Sequence, residues 1–151
     1  MSERPVSQSA VVLLETKNSF ILERRPNLPG KLAYPDKLQF FGGGVEDDER
    51  ESPAKAAVRE LDEELRLKIS SEALSNLWSG EYEGEDKHGQ PVLRHVSVYY
   101  LGLTAVGRAR LTLQELGSIV EIPKTQESVN LLADQLTPFA LRTLSEFIKN
   151  N

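Results

Sequence analysis

The run Ser52-Pro53 followed by Ala54, Ala57, Val58, Leu61 and Leu65 leaves the middle of this chain little choice of conformation. Serine is a favoured N-cap, and proline fits the first helical position, where its missing N–H leaves nothing unpaired. The apolar residues after them recur at helical spacing. We therefore expect a helix that ends near Leu65 or Arg66 and lays this stripe on a core. The edge of the same helix carries Glu60, Glu63 and Glu64, which stand at i, i+3 and i+4 and share a face. Like charges packed that way repel, so a solvent-exposed helix gains nothing from them. A divalent cation reverses the balance, which points toward metal-assisted phosphate chemistry. An ordinary solvated acidic face is the alternative. Upstream lie Gly42, Gly43 and Gly44, read as a loop that lets the backbone pass close to a ligand and offer N–H groups to phosphate oxygens. An ordinary turn is the alternative there.

The 151 residues, 39% hydrophobic, suit one domain with one core. Residues 1–8 read as a flexible N-terminal tail and residues 9–150 as the single domain. Eighteen Lys and Arg against 23 Asp and Glu argue against a protein that grips long nucleic acid. They leave room for a small phosphorylated ligand held through a metal. The absence of cysteine excludes disulfides, thiolate catalysis and iron–sulfur clusters, and His88 and His95 are too few for a zinc cluster unless carboxylates complete it. No apolar run reaches the roughly 18 residues of a membrane span, and the N-terminus lacks a signal-peptide pattern. A soluble cytoplasmic protein without membrane partners is the expectation.

Elsewhere the pattern predicts strands over 10–15 and 20–23 around a turn at Lys17-Asn18-Ser19. Residues 27–37, with Pro29-Gly30 and Pro35-Asp36, read as a loop, and 38–41 as a short strand. Residues 45–51 are acidic and turn-like. Strands are expected over 74–83 and 92–106, the second long, apolar and central. Thr112 and Glu115 form a capping box for a brief helical turn. A short strand follows at 119–122. Thr137-Pro138 starts a last helix with Phe139, Leu141, Leu144, Phe147 and Ile148 inward.

The segment Gly43–Leu67 resembles the signature box of the Nudix hydrolases. The family pattern has a glycine, five residues, a glutamate, seven residues, then Arg-Glu-apolar-any-Glu-Glu-any-Gly-apolar. Here Glu51 is followed by seven residues and by Arg59-Glu60-Leu61-Asp62-Glu63-Glu64-Leu65-Arg66-Leu67. Leu38 to Gly43 resembles the family's approach to the box, and Thr137-Pro138-Phe139 extends a weaker likeness over most of the chain. Two features depart from the pattern. Seven residues separate Gly43 from Glu51, a two-residue insertion, and Arg66 replaces a glycine that suits a helix end with positive φ.

The resemblance implies an α/β fold, the Nudix-type α/β/α sandwich with a mixed β-sheet. It implies metal-dependent hydrolysis of a pyrophosphate bond in a nucleoside di- or triphosphate derivative, with Mg²⁺ or Mn²⁺ as cofactor. Glu60 and Glu64 would be direct ligands and Glu63 would share a further ion. Glu51 would hold Arg59 and anchor the loop against the helix. Another glutamate from a distant loop reaches the metal or serves as base in several members, and Glu115 is the best match, ahead of Glu121, Glu127 and Glu85. The general base stays open between Glu64 and Glu115. Arg24 or its neighbour Arg25, and Arg94, are candidate phosphate or nucleoside contacts, with surface charge as the alternative. Trp78, Tyr82 and Tyr99 are candidate stacking residues with core packing as the alternative. The acidic loop at residues 46–49 reads as a solvated insertion or a cation attractor. A catalytically inactive nucleotide-binding module is the rival reading. The substrate is a small-molecule nucleotide of open identity, and homodimers are frequent in the family.

Overall fold

A computed structural model describes residues 7–46 and 51–151. Most of the expected tail, and residues 47–50 with most of the acidic insertion, lie outside the described residues. The elements in order are β1 (Ser7–Glu15), β2 (Ser19–Arg24), β3 (Leu38–Gln39), β4 (Phe41–Gly44), α1 (Pro53–Leu65), β5 (Ser75–Glu85), β6 (Pro91–Gly102), α2 (Ala105–Ala109), β7 (Ser118–Pro123), α3 (Gln126–Leu131) and α4 (Pro138–Lys149).

Strand residues alternate between the faces of a sheet. Along β1, Ala10, Val12 and Leu14 enter a cluster with Ala56, Ala57, Leu61 and Leu65 of α1, whereas Leu13 enters a second with Ala140 and Leu144 of α4. β2 repeats the split, Ile21 joining the first cluster and Phe20 and Leu22 the second. A sheet apolar on both faces must be covered on both. The α/β/α sandwich follows. The strands run β3-β2-β1-β6-β5, with β4 beside β1 and β7 beside β2. Only β1 and β6 are parallel among these pairs, so the sheet is mixed, and β6 is central as expected.

β1 and β2 pair at Leu14↔Ile21 and Glu15↔Phe20, then diverge. β4 takes the place beside β1 over Ser9 to Val12, and β3 takes the place beside Glu23 and Arg24. This fork, floored by α1, is where charged side chains meet.

Tertiary contacts redirect several local expectations. The three glycines are not a loop: they are strand residues of β4, because the free edge of β1 pairs with them. The long strand stops at Gly102, and Val106 lies in α2, whose Thr104 cap accepts the Gly107 N–H at 3.0 Å. Thr112 to Glu115 forms no helical turn. The Thr112 and Gln114 N–H groups donate to the Leu65 and Glu64 carbonyls, so their bonds close the end of α1 instead. α3, capped by Thr125, escaped the pattern because its six residues span under two turns. On α1, Ala56 is buried in place of Ala54, and Glu64 is buried with the stripe, not at its edge. On α4, Ala140 and Leu144 are fully buried, while Phe139, Leu141, Phe147 and Ile148 pack partly buried against the same cluster.

Arg66 ends α1 with φ 53 and ψ 30, the left-handed conformation that favours glycine, and its N–H reaches the Asp62 carbonyl at 2.9 Å. A non-glycine residue there is strained. We expect Arg66→Gly to stabilise the protein by about 0.5–1 kcal/mol, read from urea denaturation midpoints. A lower midpoint would mean that the arginine side chain contributes more than its backbone costs.

Candidate active site

The last turns of α1 face the fork. Glu64 is 5% exposed and its Oε1 accepts the Gly42 N–H at 3.1 Å. Glu23 has the parity of Ile21, so it points from β2 toward α1, and it is 4% exposed. The segment bonded to the end of α1 brings in Glu115. Oxygens of Glu23, Glu64 and Glu115 all lie within 4.8 Å of one another. They wall a cavity of about 450 Å³ shared with Glu60, Gln39 and Arg25.

Burial disfavours the ionised carboxylates, and each neighbour adds like charge. Glu64 is pushed up to about 10, by burial first and then by Glu23 and Glu115. Glu23 is pushed up to about 8, by burial first and then by its hydrogen bond with Glu115. Ionised carboxylates only accept hydrogen bonds, so three of them in contact need shared protons or a cation. An all-oxygen donor set suits a hard divalent ion.

One turn earlier, Arg59 ties α1 to β4. Its Nε donates to Glu51 Oε2 at 2.8 Å, and its Nη2 donates to Glu51 Oε1 at 3.0 Å and to the Gly44 carbonyl at 2.9 Å. Its Nη1 donates to Glu60 at 3.0 Å and to Glu63 at 3.3 Å. The guanidinium holds the Glu51 carboxyl below the usual range. Glu60 is thereby pressed toward β4, where a Cβ on Gly43 would stand 2.5 Å from its Oε1. Only glycine leaves that carboxylate its place.

The structure thus brings together Glu60, Glu64, Glu115, Gly42 and Gly43. Glu63 stays on the exposed side of α1, paired with Arg59 and away from the cavity walls. Arg24 turns away: its Nη2 donates to Gln135 at 2.9 Å and its Nη1 to the Asp36 carbonyl at 3.2 Å. Arg94 lines a second cavity of about 340 Å³ beside the first, with Gly44, Tyr34, Tyr82 and Phe139, and its Nη2 donates to the Glu85 carbonyl at 3.0 Å. Of the aromatic candidates Tyr82 reaches this cavity. Trp78 packs on Phe139 and under Arg142 instead, and Tyr99 packs against the α1-side core. Glu121 pairs with Arg108. Sequence reasoning missed Glu23. The signal was present: one acidic residue continuing the apolar run Phe20-Ile21-Leu22, in phase with the core-facing Ile21.

Comparisons with known proteins agree with this architecture. The model of the NUDIX domain matches residues 3–142. The structure is similar to a bifunctional NMN adenylyltransferase/ADP ribose pyrophosphatase from Francisella tularensis, complexed with AMP and a manganese ion (TM-score 0.70, 17% identity). That match covers 99% of this chain but 43% of the other, so the chain spans less than half of that protein's length. It is similar to a MutT protein from Methanosarcina mazei Go1 (TM-score 0.67, 21% identity), over 99% of this chain and 97% of that one. It is similar to the dihydroneopterin triphosphate pyrophosphohydrolase of E. coli (TM-score 0.68, 18% identity), over 95% and 96%. Identities of this size show a shared fold. No curated protein sequence matches. With its family model matched over nearly the whole chain, the protein belongs to the NUDIX domain family, the Nudix hydrolases.

Proposed function

We propose that the protein hydrolyses a pyrophosphate bond in a nucleoside di- or triphosphate derivative, with Mg²⁺ or Mn²⁺ as cofactor. The observation that carries this reading is the convergence of the Glu23, Glu64 and Glu115 oxygens within 4.8 Å, on a cavity wall shared with Glu60. Glu60 and Glu64 would hold the cation, completed by Glu23 and Glu115. A divalent cation, when bound, supplies neutralisation of diphosphate charge and a more acidic water. The chain supplies the rest. The Gly42 N–H orients the Glu64 carboxylate, and Arg59 sets the position of Glu60. Water oxygen bonds to one phosphorus while the bridging P–O bond breaks, and the electron pair leaves with the departing phosphate. The water proton passes to Glu64 or Glu115. Burial and like charge oppose the ionisation of Glu64, so a bound cation would be needed to hold it as the carboxylate that accepts this proton. The products are a nucleoside monophosphate and a phosphorylated partner, or pyrophosphate from a triphosphate.

The inactive-module reading draws no support from Arg66, whose left-handed backbone closes α1 as a glycine would. No helix among the described residues is long and apolar enough to cross a membrane. The test is a screen of nucleoside triphosphates, nucleotide sugars and dinucleoside polyphosphates in Mg²⁺, Mn²⁺ or EDTA, reading released phosphate or pyrophosphate. Turnover with metal and none in EDTA is expected. Tight nucleotide binding without turnover on any substrate would favour the binding module.

A further inference from the structure

The two neighbouring cavities share Arg25 as a wall residue. Its backbone N–H is held by the Lys37 carbonyl at 2.9 Å, where the chain leaves β2. Its Nε is buried and has no hydrogen-bond partner. Buried donors are paired in nearly all native structures, so an unpaired one calls for a ligand that accepts. The contrast with Arg24 is direct. The two adjacent arginines point apart, and Arg24 spends its donors on Gln135 and Asp36. Arg25 lines one cavity together with Glu23, Glu64 and Glu115 and the neighbouring cavity together with Arg94. The carboxylate side is the proposed cation site. The Arg94 side is the cavity lined by Tyr34, Tyr82 and Phe139, whose aromatic rings suit a nucleoside.

We propose that Arg25, and not Arg24, receives the diphosphate group where it spans the two cavities, placing the nucleoside beside Tyr82 and Phe139 and the scissile phosphorus at the carboxylates. This rests on the hydrolase reading above. The planar guanidinium offers a fork of donors that matches two phosphate oxygens, which a lysine ammonium cannot reproduce. Arg25 is thus a positioning residue for the substrate's non-bridging oxygens, opposite the cation.

The test uses methylenediphosphonate, a diphosphate that cannot be hydrolysed, titrated calorimetrically in Mg²⁺ into the full chain. Arg25→Gln should weaken its binding by about 10- to 100-fold, and Arg25→Lys should recover only part of that loss. Arg24→Gln should bind as the unaltered protein does. Mn²⁺ affinity without the diphosphonate, followed by electron paramagnetic resonance, should change less than about 3-fold in Arg25→Gln. Unchanged diphosphonate affinity in Arg25→Gln, an equal loss in Arg24→Gln, or an equal loss of Mn²⁺ affinity overturns the proposal. So does failure of the unaltered protein to bind the probe. Should Arg25→Gln not fold, Arg25→Lys decides, with full affinity counting against the proposal. The outcome is separable from catalysis: Arg25-dependent binding in a protein that turns over no nucleotide sinks the hydrolase reading and leaves the diphosphate site.

Discussion

Under the proposed hydrolysis, Glu64→Gln should lower metal-dependent turnover by about three orders of magnitude, and the metal-free variant should be no less stable than the parent at alkaline pH. The first effect follows from position. Glu64 sits at the centre of the site: it accepts the Gly42 N–H, lies within 4.8 Å of the Glu23 and Glu115 oxygens, and has Glu60 one turn away on α1. The amide keeps the size and one acceptor but has no charge to hold a cation and no basicity to take a proton. The second effect follows from linkage. A carboxyl whose proton affinity is raised on folding binds more protons in the folded than in the unfolded state, between its ordinary pKa and its raised one. Stability from that group is complete below the ordinary value of 4.5 and is lost as pH rises through about 8 for Glu23 and about 10 for Glu64. In EDTA the melting temperature of the parent should fall from pH 5 to pH 9. Glu64→Gln removes one of the coupled sites and should flatten that slope. Mg²⁺ binds the ionised carboxylates, so it should raise the melting temperature more at pH 9 than at pH 6. Melting curves across pH with EDTA or Mg²⁺, together with turnover rates, check both halves. A parent slope of zero in EDTA would refute the electrostatic account, and full turnover in the variant would refute the catalytic one.

Gly42→Ala should destabilise the protein by about 3 kcal/mol or more, the second large effect expected. Gly42 has φ +144, and a Cβ there would stand 2.2 Å from the Ala10 carbonyl oxygen and 2.6 Å from the Val11 Cα. Both atoms are backbone of β1, fixed between β4 and β6, and have nowhere to go. Gly44→Ala is the control two residues on in the same strand. Its Cβ would meet only the Gln8 carbonyl at 3.8 Å, an ordinary contact, and the change should be within about 0.5 kcal/mol. Urea denaturation of the two variants separates a steric demand from a general need for flexibility. Equal midpoints would show that the triplet serves only the ligand. The loss at Gly42 would also carry activity with it, since its N–H orients Glu64.

Local features read well from the chain. The Ser52 cap, Pro53 and the apolar spacing set α1 from Pro53 to Leu65, and the apolar runs at 10–15 and 20–23 marked β1 and β2, which the structure buries on both faces. Motif spacing singled out Glu60, Glu63 and Glu64, of which Glu60 and Glu64 line the cavity, and the Glu51 and Arg59 pair, which lies in contact at 2.8 Å. The misreadings share one cause. Gly42 to Gly44 looked like a loop because glycine resists strand formation unless a neighbouring strand supplies the partner. Thr112 to Glu115 looked like a helical turn because its capping pattern is local, yet its N–H groups found the carbonyls at the end of α1.

What the chain alone determined was short-range: caps, period, the spacing of carboxylates along one helix, the exclusion of cysteine chemistry. Each depends on residues within a turn or two of one another. Tertiary structure decided which charges meet. Glu23 stands on a strand, Glu64 on a helix and Glu115 in an irregular segment, and no periodicity relates them. The divergence of β1 from β2 exposes Glu23 to α1, and the spare carbonyls at the end of α1 draw Glu115 in. It also decided that Arg24 is spent on Gln135 while the buried Arg25 Nε has no partner, a difference between adjacent arginines that their sequence does not announce.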